Sequence, residues 1–264
     1  MSQSVRRALQ ILIELGRQPA SLDELAEVVG VHKTTVLRLL RTLADEHFVF
    51  RDGAHRYYLG SRLFELSARA LDQREVRRIA GPHLSEFNRA YGRTTHLAIR
   101  ENDEVVYIDK LESDDHIAMN SRIGLRAALH STAIGKVYLA DLSDAELDAW
   151  LATAGLKART PQTITDPAAL RAEIALVRDQ GWAADREENE ASINCLAAPV
   201  RGPSGRVLAA VSVSVPQPVL AYEQLLELLP PLMRLAADIS RDSGWPATDP
   251  RPATEQNPHR RSRS

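Results

Sequence analysis

The chain has 264 residues, 44% hydrophobic and 26% charged, with a formal net charge of −2 at pH 7. That composition excludes a largely disordered chain, and the length suits two domains better than one. A single cysteine, Cys195, excludes an intrachain disulfide, and no long apolar run or secretory signal occupies Met1 to Ala20, so the cytosol is the expected compartment, without a membrane partner. Charge is unevenly spread. There are thirteen cations against ten anions up to Arg78 and twenty against twenty-five beyond it, so the N-terminal part is the basic one.

Ser4 to Arg17 places Val5, Ala8, Leu9, Leu12 and Leu15 at helical spacing behind Ser4, a candidate cap. Ser21 and Glu24 form an S-x-x-E capping box ahead of Leu22, Leu25, Ala26 and Val29, and Gly30 ends that helix. Beyond it, Val36, Leu39, Leu40 and Leu43 recur at i, i+3, i+4 and i+7, which turns Lys33, Thr34, Arg38 and Arg41 largely to the opposite face. Two helices joined by a short turn around a glycine match a helix-turn-helix, whose second helix enters the major groove with its N-terminal residues at the base edges. Arginine pairs bidentately with guanine, threonine meets base edges or the thymine methyl, and lysine suits phosphate. Phe48–Arg51, a turn at Asp52–His55 and Arg56–Leu59 read as a β-hairpin wing. The candidate DNA contacts are Lys33, Thr34, Thr35, Arg38, Arg41 and Arg56. The plainer reading is a helical hairpin with a solvated basic face. Against it, residues 31–62 carry six cations and three anions, and cap, turn, basic face and wing agree.

Gly60-Ser61 opens an inter-domain helix with Leu63, Leu66, Ala70 and Leu71 apolar. Its stripe can be buried against the same helix of a second subunit or against the next domain. The pattern Val76, Ile79, Leu84, Phe87 continues to Tyr91 across Pro82, which should kink or restart the helix. Thr94–Arg100 and Glu104–Leu111 read as an antiparallel strand pair, with His96 taken as structural, and Ile117–Ile123 as a further strand. A helix follows from Ala133 to Ala140, capped by Ser131 or Thr132. Capped helices recur at Ser143–Ala152 and Asp166–Gly181, Trp182–Asn194 reads as an acidic loop, and Ile193–Val200 with Arg206–Val215 as a hairpin. Val219–Asp242 is a last amphipathic helix interrupted by Pro230-Pro231, and the tail beyond Trp245 is expected to be disordered.

This order of parts resembles the IclR family of bacterial transcriptional regulators from Ser4 to about Pro216. The resemblance rests on SVRRALQIL, LDELAEVVGVHKTTVLRLLRTL, GLRAALHSTAIGKVYLA, and GWAADREENEASINCLAAPV followed by VLAAVSVSV. Two residues depart from the usual pattern, Ala128 in place of proline and Ser192 in place of glycine. The resemblance implies an α+β chain: an N-terminal winged helix-turn-helix (residues 1–60), a linker helix (61–74) and a C-terminal GAF-like α/β effector-binding domain (75–244), followed by the tail (245–264). It further implies a repressor of a catabolic operon, a homodimer or homotetramer on double-stranded operator DNA with an inverted repeat, and no cofactor or metal. It carries the effector contacts onto Ala133, Ile134, Asp185, Cys195, Ser212 and Ser214, for a small carboxylic or sugar acid.

The residues support such a ligand independently. A helix N-terminus offers free N–H groups to a carboxylate at Ala133 and Ile134, and Ser212 and Ser214, two apart on one strand, point the same way. Each residue also has a plainer reading: satisfied strand serines, a small core cysteine, a loop acid. Two other classes compete: an enzyme with Cys195 as nucleophile, His130 as base and Asp185 orienting it, and a metal sensor built from His96, His130, Asp185 and Cys195. No local nucleophile motif or paired-ligand spacing supports either.

Overall fold

The computed structural model describes residues 3–114 and 119–246. The chain divides into two compact units after Arg74. In the first, α1 (Gln3–Leu15), α2 (Leu22–Val29) and α3 (Lys33–Asp45) are followed by a two-stranded hairpin of β1 (Val49–Arg51) and β2 (Tyr57–Leu59), and then by α4 (Arg62–Asp72). Ile11 and Leu15, Leu25 and Ala26, Val36 and Leu40, and Val49 with Tyr57 meet in one core, so each amphipathic stripe is buried by its neighbours. Ser4 lies inside α1 rather than capping it, because the helix begins one residue earlier. No residue of α4 is buried, and Phe64 is 77% exposed.

The second unit begins with α5 (Glu75–Tyr91) and is built on a six-stranded antiparallel sheet. Its strands are β3 (Thr94–Glu101), β4 (Glu104–Leu111), β5 (Arg126–Ala128), β6 (Ala183–Arg186), β7 (Ile193–Arg201) and β8 (Val207–Pro216), in the order β5-β4-β3-β8-β7-β6. Between β5 and β6 come α6 (Ala133–Ala140), α7 (Asp144–Thr153) and α8 (Pro167–Gln180), and after β8 come the single turn α9 (Tyr222–Leu225) and α10 (Leu229–Asp242). Helix α6 packs on the sheet and against α8, joining Ala98, Tyr107, Ala197 and Ala210 to Val137 and Ile174 in one core. Helices α5 and α10 pack together and on the sheet. Because neighbouring strand residues face opposite ways, Leu97, Leu196, Val211 and Val213 belong to the face away from α6.

Several local expectations change. Helix α5 runs unbroken through Pro82; the carbonyl that proline leaves unbonded belongs to Arg78, on the exposed side, where water can take it. Of the strand expected at Ile117–Ile123, Ile117 and Ala118 lie outside the described residues and 119–123 are not in the sheet; the strand is β5 instead. Met119 and Ser121 give their carbonyls to the Lys110 ammonium at 3.3 and 2.7 Å. Ala183–Arg186, read as loop, is an edge strand paired with β7. The last helix is interrupted at Leu226–Leu228, with Pro230 and Pro231 taken into the first turn of α10. The tail from residue 247 lies outside the described residues.

The start of α6 is set by close packing. Thr132 rather than Ser131 is its cap: Thr132 Oγ1 accepts from the Gly135 N–H at 3.0 Å and donates to the Ala128 carbonyl at 2.8 Å. Gly135 lies so close to the preceding turn that a Cβ there would stand 2.3 Å from the Leu129 carbonyl oxygen. Backbone cannot swing aside as a side chain can, so Gly135→Ala is expected to destabilise the protein by about 1–3 kcal/mol, read as a fall in urea midpoint with unchanged slope.

Candidate functional site

In the first unit the α2–turn–α3 geometry follows from three local devices. Ser21 Oγ accepts from the Glu24 N–H at 3.3 Å while the Glu24 carboxylate accepts from the Ser21 N–H at 2.6 Å. Gly30 ends α2 at φ 68°, and the His32 ring caps α3, its Nδ1 accepting from the Thr34 N–H at 3.3 Å. Lys33, Thr34, Arg38 and Arg41 are exposed on α3 and Thr35 is half-buried. Lys33 pairs with Asp23 at 2.8 Å, whereas Arg38 and Arg41 make no ion pair among the described residues.

The wing pairs Phe50 with Tyr58, whose rings stack 5.1 Å apart. At its turn Asp52 accepts from the Arg56 N–H at 2.8 Å and from the Tyr58 hydroxyl at 3.0 Å, and these bonds hold its carboxyl below the usual range. The Arg56 side chain is turned inward to its own domain. It donates to the Pro19 carbonyl and lies 3.3 Å from the Glu24 carboxylate, so it fastens the wing to the start of α2.

In the second unit, Ala133, Ile134, Asp185, Cys195, Ser212 and Ser214 all border one cavity of 520 Å³. They come from α6, β6, β7 and β8, and strand register assembles them: Asp185 is opposite Cys195, and Cys195 opposite Ser214. The first-turn amides of Ala133 and Ile134 have no partner among the described residues, so donors remain at the positive end of the helix. The same cavity brings in residues that sequence reasoning set aside or did not single out, among them His96, Tyr107, Arg159 and Asn189. His96 is opposite Ser212, with Nδ1 3.4 Å from the Ser212 hydroxyl and Nε2 2.8 Å from Ser121 Oγ. Burial, and secondly the Lys110 charge, push it down to about 3, so the ring is neutral. Its place two residues from Ala98 and Thr94 was readable, but not which strand would lie beside it.

Asp185 is 3% exposed, and burial pushes its carboxyl up to about 7. The N–H groups of Glu188 and Asn189 oppose that shift, donating to Oδ1 at 2.7 and 3.2 Å, and the nearby Glu188 charge adds to it. Burial and then Asp185 push the Cys195 thiol well up, the reverse of an activated nucleophile. His130 is elsewhere: it borders a separate cavity of 280 Å³ and shares a hydrogen bond of 3.1 Å with the Lys157 carbonyl. The Cys195–His130–Asp185 arrangement is therefore not assembled. Among the described residues no group of three or more histidine, cysteine and acidic side chains is placed to hold a metal ion, and no helix is long and apolar enough to cross a membrane.

A winged helix-turn-helix followed by an α/β unit with a polar cavity has a counterpart among known proteins. The family model described as the IclR helix-turn-helix domain matches residues 4–53, and that of the bacterial transcriptional regulator IclR C-terminal matches residues 68–241. The chain belongs to the IclR family. It is a DNA-binding transcriptional regulator, not an enzyme. Among IclR-type relatives, the HTH-type transcriptional regulator XynR of Escherichia coli is 37% identical over 248 residues, covering 93% of this chain and 98% of that protein. The Thermotoga maritima IclR structure is 34% identical with a TM-score of 0.79, covering 91% of this chain and 98% of that one. An IclR homologue from Microbacterium hydrocarbonoxydans, solved as a complex with 4-hydroxybenzoate, is 25% identical with a TM-score of 0.77, covering 90% and 98%.

The Asp185 carboxyl carries a test of the cavity electrostatics. Its folded value lies near 7 against an ordinary 3.8, so between these limits the folded state holds a proton that the unfolded state has lost. Its contribution to stability is thus greatest at low pH and falls as pH rises from about 4 to 7, by up to about 1.4 kcal/mol per unit. Urea unfolding of the wild type and Asp185→Asn at pH 5, 6, 7 and 8 should show the wild type losing ground to the variant up to neutrality and little further change above it.

Proposed function

We propose that this ligand-responsive regulator is a repressor of a catabolic operon whose effector is a small carboxylic or sugar acid bound in the 520 Å³ cavity. The observation that carries this reading is the convergence on that cavity of Ala133 and Ile134, whose amides have no partner among the described residues, with Ser212, Ser214 and Asp185. A carboxylate leaving water needs replacement hydrogen bonds, and the amides and hydroxyls provide donors without a full opposing charge. Asp185 then recognises a hydroxyl or hydrated carbonyl of the ligand, and Cys195 closes the wall beside it. The aromatic hydroxy acid in the Microbacterium hydrocarbonoxydans complex is of the same chemical class.

On DNA, Lys33, Thr34, Thr35, Arg38 and Arg41 form the reading face, and the wing stands beside it. Arg56 supports the wing from within, which makes it the weakest candidate for a DNA contact. The working unit is a homodimer or homotetramer on an inverted repeat, because one recognition helix reads only a few base pairs. Phe64 and Leu66 of α4, 77% and 44% exposed, leave an apolar stripe that its own unit does not cover and that a second subunit or the following domain can bury.

Thermal-shift screening against short keto, hydroxy, sugar and aromatic carboxylic acids tests the effector reading, since a ligand that binds the folded state raises its stability. For the ligand so found, Ser212→Ala with Ser214→Ala should lower affinity by about 2–3 kcal/mol while operator binding without ligand stays at the wild-type level. Full ligand response in that double variant would remove the hydroxyls from the site. Arg38→Ala should weaken operator binding by about 1–3 kcal/mol, with preference relaxed at one position per half-site if the arginine reads a base, or a flatter salt dependence if it holds phosphate. Unchanged operator affinity would take Arg38 off the interface.

A further inference from the structure

The most deeply buried charge in the second unit stands outside the lining of the 520 Å³ cavity. Lys136, in the middle of α6, is fully buried, and its ammonium donates to Glu188 Oε1 at 2.6 Å, to the Ala184 carbonyl at 2.9 Å and to Glu173 Oε1 at 3.0 Å. Glu188 is 6% exposed and reaches two ways: its carboxylate meets Lys136, and its backbone N–H donates to Asp185 Oδ1 at 2.7 Å. Neither Lys136 nor Glu188 lines the cavity. Their neighbours along the chain do: α6 carries Ala133 and Ile134 in the turn before Lys136, and the segment around Glu188 carries Asp185, Asn189 and Glu190.

That segment needs holding. Glu187 at φ 59° and Ser192 at φ 62° bring side chains into the left-handed region, which costs backbone energy at residues other than glycine. The Glu188 carbonyl accepts from Thr163 Oγ1 at 2.6 Å and Asn189 Oδ1 accepts from Ser131 Oγ at 3.2 Å, while the one charged fastening of the turn to α6 among the described residues is Lys136. Net stability is a poor reason for such a pair. Taking both charges out of water offsets most of their attraction, and a well-packed apolar pair of similar volume often does as well or better. The Glu188 Oε2 atom is buried with no hydrogen-bond partner, a further cost that packing alone would have removed. What an ammonium with three directed bonds supplies, and apolar packing does not, is a fixed placement of the turn relative to the helix.

We propose that Lys136 and Glu188 are positioning residues for the effector cavity: their ion pair fastens the helix that offers the amide donors to the turn that carries Asp185, and so sets the width of the site from behind its wall. The proposal rests on reading the cavity as the effector site, but its test needs no effector. Cys195 is the one cysteine of the chain and stands opposite Asp185 in the cavity wall, so its alkylation by iodoacetamide, in which the thiolate displaces iodide, reports the state of that wall.

Single replacement of Lys136 strands the buried Glu188 carboxylate, so the informative variant is the pair Lys136→Met with Glu188→Leu in the full-length protein; Glu173, 25% exposed at its side chain, can turn to solvent. It should unfold close to the wild-type temperature and yet alkylate at Cys195 at least about tenfold faster, because opening the wall widens access to the partly exposed thiol and brings its ionisation down. The midpoint of the rate–pH profile should fall toward that of an ordinary thiol. Glu188→Gln, which retains the shape and a carbonyl acceptor, keeps the question answerable if the pair fails to fold, and should show a smaller shift in the same direction. A wild-type alkylation rate and pH profile in folded variants, whatever their melting temperature, would overturn the proposal. Because iodoacetamide reads the wall directly, that result is distinct from a screen in which no acid binds, which would count against the effector reading alone.

Discussion

The second unit depends on the register of four antiparallel strands. With β6, β7 and β8 paired as they are, Asp185, Cys195 and Ser214 lie in one row across the sheet, and the β8–β3 pairing sets Ser212 beside His96 in the next. Side chains alternate with a period of two, so a slip of one residue in any of these strands would turn its polar members to the opposite face, where Leu196, Val211 and Val213 now lie. The register is protected by that same apolar set: moving it would bring hydroxyls and a carboxyl into a hydrophobic layer without partners, a cost of about 1–3 kcal/mol for each group.

On this sheet α6 is the second fixed body. Its start is held by Thr132, which both accepts from Gly135 and donates to Ala128, and by the approach of Gly135 to the Leu129 backbone. A larger residue would lift the first turn away from the strand row and with it the two unpaired amides. The cavity therefore joins a helix end and a polar stripe, the one placed by its Thr132 cap and the close approach of Gly135, the other by strand register.

The DNA-reading unit follows a different logic. Helices α2 and α3 are defined by their own caps and stripes, and single long-range bonds fix the wing against them. Arg56 illustrates this: a cation on the wing, in a stretch rich in cations, is used to tie the hairpin to Pro19 and Glu24. Charge density marks the stretch as basic, but which of its cations are engaged within the unit was decided by neighbours distant in sequence.

Much of the first unit was legible because its signals are local. The Ser21–Glu24 box, the Gly30 terminus, the α3 stripe and the hairpin each lie within a few residues, and all are present in the structure. In the second unit the alternation of β8 and the helix at Ala133 were equally readable, and the resemblance to the family named Ala133, Ile134, Asp185, Cys195, Ser212 and Ser214 together; that they share one cavity came from the structure. What the chain did not disclose is long-range. The bond from His96 to Ser212 spans 116 residues and that from Lys136 to Glu188 spans 52, and neither histidine nor lysine carries a local mark of such a partner. Edge strand β6 was missed because Ala183–Arg186 has no strong strand pattern and is a strand only through pairing with β7. Local backbone preference and side-chain period are properties of short stretches, and the sequence determined them by itself; register, burial of charge and the choice of partners depend on which surfaces meet, and only the tertiary structure decided those.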